Sequence, residues 1–321
     1  MIAGTASGDD IMAEAALADQ TGKFALITGA TGGLGLATAE ALAAAGADVL
    51  LTGRDADKGV RALSAIRSRH SNALVRFELL DMSSKQSIGR FIGRYDAHHR
   101  SLDVLICNAG VMALPRRLQN ADGVELQFAT NYLGHFALTA GLIPALTRSK
   151  APRVVQVSSI VARQGTAAVA NPEQGRTYRP MQAYVESKLA QLIFMVELQR
   201  RSDRTGWGLT AVAAHPGVTR TDLLANGPGR ESLRGMAYGL MQPLVSQPIA
   251  AGIQPILKAA TGAGVMPLDY YGPSGPLELR GLGAAPARLP ELARNEALGS
   301  RLWRLSEDLT DTRFPVLAAV S

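Results

Sequence analysis

Thr28-Gly-Ala-Thr-Gly-Gly-Leu-Gly35 ends the apolar segment 24–28 and precedes the Ala/Leu-rich segment 36–45. The apolar segment predicts a short buried strand, and the Ala/Leu-rich segment predicts a helix. The glycines therefore stand in a tight turn that joins a strand to a helix. Strand, glycine turn and helix form the first part of a βαβ unit, so this stretch predicts an α/β fold.

The same alternation of apolar and helical segments continues outward from this turn. Further strands are predicted at 48–52, 74–77, 102–106, 153–157 and 209–213, and helices at 55–69, 84–95 and 123–148. Strands that alternate with helices imply right-handed crossovers and a parallel sheet that is covered on both faces. We predict a single Rossmann-type, doubly wound parallel sheet flanked by helices on both faces over residues 22–321. Residues 1–21 are predicted to be a loose extension.

The composition excludes several classes of protein. With 47% apolar and 19% charged residues among 321, the chain is neither disordered nor collagen-like. The net charge of +6 comes from scattered basic residues, so no nucleic-acid partner is predicted. One cysteine allows neither a disulfide framework nor a cysteine-rich zinc site, and no metal site is predicted. We find no apolar run long enough to span a membrane and no leader pattern, so we expect a cytoplasmic protein.

The glycine turn is suited to a pyrophosphate. Glycines let the backbone approach the phosphates, and the helix that follows presents free N–H groups and the positive end of its dipole. Gly29, Gly33 and Gly35 fit the pattern TGxxxGxG, whereas Gly29, Gly32 and Gly35 fit TGxxGxxG equally well. The turn alone predicts a dinucleotide site and leaves its subtype open.

The end of the second strand bears on the choice of dinucleotide. An acidic residue at this point binds the ribose 2′-hydroxyl of NAD, whereas an arginine binds the 2′-phosphate of NADP. The chain has Gly53 at the expected acidic position and Arg54 next to it, with Asp55 placed to cap the following helix. Because a guanidinium donates several charge-assisted hydrogen bonds to phosphate, NADP(H) is predicted to be preferred over NAD(H).

A phenol and an amine are spaced by one helical turn further along the chain. Tyr184 and Lys188 stand at positions i and i+4, on one face of the predicted helix. An ammonium group beside a phenol favours the phenolate, so Lys188 is predicted to lower the pKa of Tyr184. Tyr184 could then act as a general acid or base, while Ser158 and Ser159, at the end of the fifth strand, could bind a carbonyl oxygen.

With these motifs in one order, the chain resembles the short-chain dehydrogenase/reductase family. Asn108–Gly110 and Pro216–Gly217 indicate its non-extended subgroup and hence the TGxxxGxG pattern, and the segments 131–136 and 302–303 indicate the retinol dehydrogenase-like branch. The resemblance implies that Tyr184 transfers the proton, that Lys188 binds the nicotinamide ribose, that Ser159 rather than Ser158 orients the carbonyl, and that Asn131 holds a water linked to Lys188. The implied cofactor contacts are Gly29, Thr31, Gly33, Leu34, Gly35, Arg54, Asp81, Met82, Asn108, Ala109, Gly110, Tyr184, Lys188, Pro216, Gly217, Val218 and Thr219.

The segment after Pro216–Gly217 bears on the substrate. Residues 218–247 stand where the family has its substrate lid, and their apolar stripe is typical of a lid or of a helix that packs on the core. The resemblance therefore implies an NADP-dependent oxidoreductase for a lipophilic, bulky alcohol and its ketone or aldehyde. A C-terminal helical extension is expected to follow.

Two other functions are open to a chain of this kind. A non-catalytic NADP(H)-binding regulator should have lost Tyr184, Lys188 or Ser159, and all three are present. A sugar epimerase or dehydratase on the same scaffold should have a larger C-terminal substrate domain and should lack Asn108–Gly110.

The spacing of 25 residues between Ser159 and Tyr184 bears on assembly. The gap is about half as long in many tetrameric members of the family, where the helix that bears Tyr184 and the helix after Asn108–Gly110 form an interface. Extra residues at 163–179 are expected to cover these helices, so a monomer is predicted rather than a dimer or tetramer.

Of the histidines, His98 and His99 are expected at the surface, His135 in a structural role and His215 beside the cofactor.

Overall fold

The structure, a computed structural model, describes residues 17–97, 101–171, 177–219 and 246–315. Its eight-stranded sheet has the order β3-β2-β1-β4-β5-β6-β7-β8, in which β1 to β7 are parallel and β8 is antiparallel to β7. The strands are β1 Phe24–Ile27, β2 Asp48–Gly53, β3 Val75–Leu79, β4 Val104–Cys107, β5 Arg153–Val157, β6 Thr210–Ala214, β7 Tyr270–Pro273 and β8 Ala284–Pro286.

Helices cover both faces of this sheet. The longer helices are α1 Gly33–Ala44, α2 Ala56–Arg69, α3 Lys85–Ala97, α4 Gly134–Leu146, α5 Pro180–Thr205, α6 Gln254–Thr261 and α7 Glu296–Thr310. A π-helical turn, Ala129–Leu133, leads into α4, and 3₁₀ turns occupy Ile160–Gln164, Ala167–Ala170 and Pro276–Glu278. Shorter helical segments are Leu126–Phe128, Ile249–Gly252 and Glu291–Arg294.

Alternate residues of the central strands supply the two apolar cores, one on each face of the sheet. Leu26 belongs to the apolar cluster that includes residues of α3, α4, α5 and α7, whereas the next residue, Ile27, belongs to the cluster that includes residues of α1, α2 and α6. Leu50 and Leu51 of β2 divide in the same way. A sheet buried on both faces needs such continuous apolar runs, and full burial of each Leu or Ile stabilises the fold by about 1.5–3 kcal/mol.

The predicted fold class is confirmed, and the differences concern boundaries and one edge. Each of the six predicted strands is present with ends within two residues of the prediction. Helix α1 begins three residues earlier than predicted, and the predicted helix 123–148 is divided by the π-helical turn. The strands β7 and β8 were not predicted, and β8 makes the edge antiparallel because a hairpin loop, residues 274–283, returns the chain beside β7.

Several predictions lie outside the described residues: residues 1–16 of the extension, His98 and His99, and residues 220–245 of the lid with its apolar stripe. The described end of the extension contacts the domain, since the N–H of Gln20 donates to the carbonyl of Ala45 at 2.8 Å. Within the described ranges, no helix is both long and apolar enough to cross a membrane. No cluster of three metal-binding side chains occurs in that part of the chain either.

Candidate active site

The order of the strands brings the predicted motifs together. The strands β1, β4, β5 and β6 are successive neighbours and parallel, so their carboxyl ends lie in a row at one edge of the sheet. The segments that follow them are the glycine turn, Asn108–Gly110, Ser158–Ser159 and His215–Thr219. Ligands of open α/β sheets bind at this edge, so the four segments form one candidate site.

The backbone of the glycine turn distinguishes between the two glycine patterns. Gly29 and Gly33 have φ values of 65° and 55°, which strongly favour glycine. A Cβ on Gly35 would lie 2.5 Å from Nδ2 of Asn108, which itself donates to the carbonyl of Thr28 at 2.8 Å. Gly32 has an extended backbone with φ of −176°, and a Cβ there would meet nothing within 4 Å. The turn therefore requires the glycines of TGxxxGxG.

The start of α1 is suited to the phosphates of a dinucleotide. No side chain caps this helix, because Gly32 precedes it, and its first turn has no acidic residue. The first N–H groups of a helix lack partners within the helix and carry the positive end of its dipole. The residues of this turn therefore fit a pyrophosphate, and Gly29, Thr31, Gly33, Leu34 and Gly35 lie in it or in the first turn of α1.

The end of β2 leaves little room for a side chain. Gly53 is buried, and a Cβ there would lie 2.7 Å from Cγ2 of Thr31. Arg54 follows with an exposed side chain, and Asp55 caps α2 by accepting the N–H of Lys58 at 3.0 Å. This hydrogen bond holds the pKa of Asp55 below its usual value. The predicted capping role of Asp55 is therefore confirmed, and the Arg54 side chain is left exposed to solvent.

Asp81 stands at the carboxyl end of the neighbouring strand β3. Its Oδ1 accepts the N–H and the hydroxyl of Ser83 at 2.9 and 2.7 Å, and its own N–H donates to Ser87. The carboxylate is thus held at the β3 end of the same sheet edge, followed by Met82. The placement fits the cofactor contacts that the resemblance implies for Asp81 and Met82.

Tyr184 and Lys188 lie on α5 beside the carboxyl end of β5. The Tyr184 side chain is buried, and Ser159 lies close enough to lower its pKa. The ammonium Nζ of Lys188 lies 5.7 Å from the centre of the Tyr184 ring and donates to the carbonyl of Val157 at 2.9 Å. Ser158 instead donates to the backbone carbonyl of Lys188 at 2.8 Å. Ser159 therefore lies beside the phenol and Ser158 anchors the helix, whereas the choice of Ser159 to orient the carbonyl stays a prediction.

The predicted lowering of the Tyr184 pKa was wrong for this geometry. Burial raises the pKa of Tyr184 to about 12, although the hydrogen bond from Ser159 acts in the opposite direction. Burial also lowers the pKa of Lys188 to about 7, so the amine is only partly charged near neutral pH. A partly protonated lysine exerts a weaker field on the phenol than the full ammonium charge that the sequence argument assumed.

Asn131 lies in the π-helical turn before α4, and both the oxygen and the nitrogen of its side-chain amide form hydrogen bonds. Its Oδ1 accepts the N–H of Val111 at 2.8 Å, and its Nδ2 donates to the carbonyl of Val111 and to Ser187 Oγ, each at 2.9 Å. Ser187 is next to Lys188 on α5, so Asn131 joins the segment after Asn108–Gly110 to α5. The water implied for Asn131 stays a prediction.

His135 connects this turn to the glycine turn. Its Nδ1 lies 2.8 Å from the carbonyl of Asn131, which can only accept, so Nδ1 carries a proton. Burial lowers the pKa of His135 to about 4, so the ring is neutral near pH 7 and its Nε2 accepts the hydroxyl of Thr28 at 2.8 Å. The Thr28 oxygen in turn accepts the N–H groups of Asn108 and Ala109. The structural role predicted for His135 is confirmed.

Sequence reasoning missed two polar partners at this edge. The side-chain oxygen of Gln191 accepts Lys188 Nζ at 3.0 Å, and its spacing of three residues on a helix was a usable signal. Glu278 accepts from His215 at 3.0 Å, but the two are 63 residues apart and no pattern links them. Cys107 is buried, and burial raises the pKa of its thiol to about 12, in keeping with a small apolar side chain.

Known proteins are similar to this chain in sequence and in fold. The family model described as short chain dehydrogenase matches residues 23–231. Human retinol dehydrogenase 12 is 36% identical over 295 residues, which is 91% of this chain and 88% of that protein. Mouse polyprenol dehydrogenase is 39% identical over 211 residues, which is 64% of this chain and 63% of that protein.

Two solved structures resemble most of this chain. An uncharacterised protein from Mycobacterium paratuberculosis has a TM-score of 0.74 and 35% identity, with 95% of this chain and 98% of that chain covered. A short chain dehydrogenase from Escherichia coli CFT073, complexed with NADPH, has a TM-score of 0.58 and 26% identity over 77% of this chain and 92% of that chain.

Proposed function

The chain belongs to the short chain dehydrogenase family of oxidoreductases, and on this basis we propose that it uses NADP(H) to interconvert a lipophilic, bulky alcohol and its ketone or aldehyde. Oxidoreduction of alcohols and carbonyl compounds is the chemistry that this membership supports. The preference for NADP(H) and the class of substrate are the parts that we propose.

The observation that carries the proposal is the group Ser159, Tyr184 and Lys188 at the carboxyl end of β5. A nicotinamide, when bound, supplies or accepts the hydride. Tyr184 donates its phenolic proton to the carbonyl oxygen during reduction, and Ser159 holds that oxygen by a hydrogen bond. Lys188, with a pKa lowered to about 7, can return a proton toward Tyr184 near neutral pH.

The preference for NADP(H) rests on the end of β2. Gly53 has no carboxylate for the ribose 2′-hydroxyl, and a side chain there would require Thr31 to move. The exposed guanidinium of Arg54 is the charged group adjacent to that position and suits a 2′-phosphate. The NADPH complex of the Escherichia coli relative supports the same choice by analogy.

The proposed substrate class rests on the relatives and on the predicted lid. The names of the relatives specify retinol and polyprenol, both lipophilic alcohols. For this chain we propose a lipophilic alcohol, aldehyde or ketone of comparable bulk, without choosing among them. A cytoplasmic location stays a prediction.

We also propose that the protein is a monomer, and here the supporting contact differs from the predicted one. The helix α7 packs on α4 and α5, where its Trp303 ring lies 4.9 Å from Phe136 and 5.8 Å from Phe194 between centres. The guanidinium of Arg201 lies 3.7 Å above the same indole. From the predicted insertion, the turn Ala167–Ala170 also packs on α5, while residues 172–176 lie outside the described residues. Light scattering at micromolar concentration should therefore give the mass of one chain.

A screen of NADPH oxidation with bulky ketones and aldehydes, retinal included, tests the proposed reaction. Tyr184→Phe should lower kcat by about 10²–10⁴-fold, because it removes the proton donor and leaves the rest of the site in place. The matched control is Tyr271→Phe, which removes a phenol that bonds Asp269 at the amino end of β7. Normal turnover in Tyr184→Phe, or no turnover of any carbonyl compound by the wild type, would contradict the proposal.

A further inference from the structure

The loop of residues 274–283, between β7 and β8, has an unusual backbone. Leu277 and Glu278 are consecutive residues with φ values of 55° and 58°, in the left-handed region that favours glycine. Such conformations persist only where the surroundings hold them, and they cluster at functional sites. The contacts of Glu278 show what holds this pair.

The Glu278 carboxylate bonds three separate segments. Its Oε2 accepts from the guanidinium of Arg163 and from Nε2 of His215, the latter at 3.0 Å. Its Oε1 accepts the N–H of Arg288, beyond β8, at 3.3 Å. Arg163 lies in the 3₁₀ turn that begins directly after Ser159, and His215 directly precedes Pro216–Gly217. One carboxylate thus joins the segment after β5 to the segment after β6.

The protonation of His215 follows from its two neighbours. The ring is buried, and its Nδ1 accepts the N–H of Gly217 at 3.2 Å, so the single ring proton is on Nε2. Nε2 therefore donates to Glu278, which must be an acceptor. Burial raises the pKa of Glu278, but hydrogen bonds from His215 and Arg163 outweigh that effect and hold the pKa below its usual value. The carboxylate is charged near neutral pH.

The loop 274–283 also contacts the segment 216–218, which follows β6, on the side opposite to His215. The carbonyl of Leu279 accepts the N–H of Val218 at 2.8 Å. A Cβ on Gly217 would lie 2.4 Å from that same carbonyl oxygen, so the approach is as close as a glycine allows. The segment 216–218 is consequently held between His215 inside the protein and Leu279 in the loop, and Glu278 connects both supports.

We propose that Glu278 is a positioning residue that sets the separation between Ser159 and the segment Pro216–Thr219. This inference rests on the proposed function, in which Ser159 orients the substrate carbonyl and Pro216–Thr219 contact the cofactor. A correct separation places the carbonyl against the nicotinamide, and reaction rates are sensitive to such placement. Glu278 itself acts through Arg163 and His215 and transfers no proton to the substrate.

The test compares Glu278→Gln with the matched control Glu291→Gln, which changes an exposed glutamate in the turn Glu291–Arg294. Glu278→Gln keeps the volume of the side chain but removes its charge. The kcat should fall by about 10-fold, which is the lower end of the range for losing a charged hydrogen bond, because Glu278 is partly exposed. The KM for the carbonyl compound should stay close to wild type, and the loss of kcat should persist at temperatures well below the Tm of each variant. Arg163→Gln should lower kcat similarly, and the double variant should fall no further.

Hydrogen exchange provides a readout that needs no turnover. In Glu278→Gln, exchange should quicken in the segments 158–165 and 214–219, both of which the carboxylate joins, and in Glu291→Gln it should not. The proposal is overturned if faster exchange is confined to 274–283, if kcat is unchanged, or if kcat returns to the wild-type value at temperatures well below the Tm of the variant. A wild type that reduces no carbonyl compound would refute the proposed function, and the exchange result would still decide the role of Glu278.

Discussion

The close contact between Gly53 and Thr31 leads to a quantitative prediction about cofactor choice. Gly53→Asp introduces the acidic residue that binds the ribose of NAD, but its Cβ would lie 2.7 Å from Cγ2 of Thr31. Overpacking of this kind costs about 1–3 kcal/mol of the free energy of unfolding. Rotation of the Thr31 side chain can relieve part of the clash, so we expect a value near the lower end.

Thr31→Ser is the compensating change, because it removes Cγ2 and keeps the hydroxyl. The remaining Oγ lies 3.4 Å from the Cβ position, which is an ordinary contact. The double variant should therefore recover most of the stability that Gly53→Asp loses. It should also shift cofactor preference toward NADH, since the new carboxylate accepts from the 2′-hydroxyl and repels a 2′-phosphate. A charged hydrogen bond of about 1.5–3 kcal/mol corresponds to roughly 10- to 150-fold in the ratio of affinities.

Urea denaturation and cofactor titration measure the two effects separately. Four proteins are compared: wild type, Gly53→Asp, Thr31→Ser and the double variant. The stability changes of the single variants should fail to add, with Thr31→Ser nearly neutral alone and stabilising in the presence of Asp at position 53. Additive stability changes would show that Thr31 does not obstruct a side chain at position 53. An unchanged ratio of NADPH to NADH affinity in the double variant would show that position 53 does not contact the ribose.

Three further predictions concern charge at this edge of the sheet. Arg54→Gln should raise the KM for NADPH by roughly 10- to 150-fold and leave that for NADH nearly unchanged; an equal response to both cofactors would remove Arg54 from the phosphate site. Burial lowers the pKa of Lys188 from 10.5 to about 7, so between these pH values the unfolded chain binds one proton more than the folded chain. The free energy of unfolding of the wild type relative to Lys188→Met should therefore rise with pH in this range, by up to about 1.4 kcal/mol per pH unit. A difference in urea denaturation that does not depend on pH would be evidence against a lowered pKa. Burial likewise lowers the pKa of His135 from 6.5 to about 4, so the wild type should lose stability relative to His135→Gln as pH falls from 6.5 to 4, which chemical denaturation at several pH values will check.

Local pattern was enough to predict the architecture and to identify candidate site residues that the fold brings together. Alternating apolar and helical segments follow from the periods of strands and helices, which is why all six predicted strands are present. Tyr184 and Lys188 share a face because they are one helical turn apart, and Ser159 joins them because parallel strands end at a common edge. The strand β8 escaped prediction because its three residues, Ala284–Pro286, have no strand-like pattern of their own.

The sequence by itself determined which groups are present: the glycine turn, the arginine after β2, and a serine, phenol and amine at the spacing of their elements. The tertiary structure decided how those groups behave, because burial and long-range hydrogen bonds depend on neighbours distant in the chain. Burial raises the pKa of Tyr184 and lowers the pKa of Lys188. Residue spacing alone had predicted a lowered pKa for Tyr184. Contacts across 63 residues connect Glu278 to His215, and packing against Trp303 covers a helix face that the local sequence leaves apolar. Free energies of desolvation and of packing are properties of the folded surroundings, so no local pattern contains them.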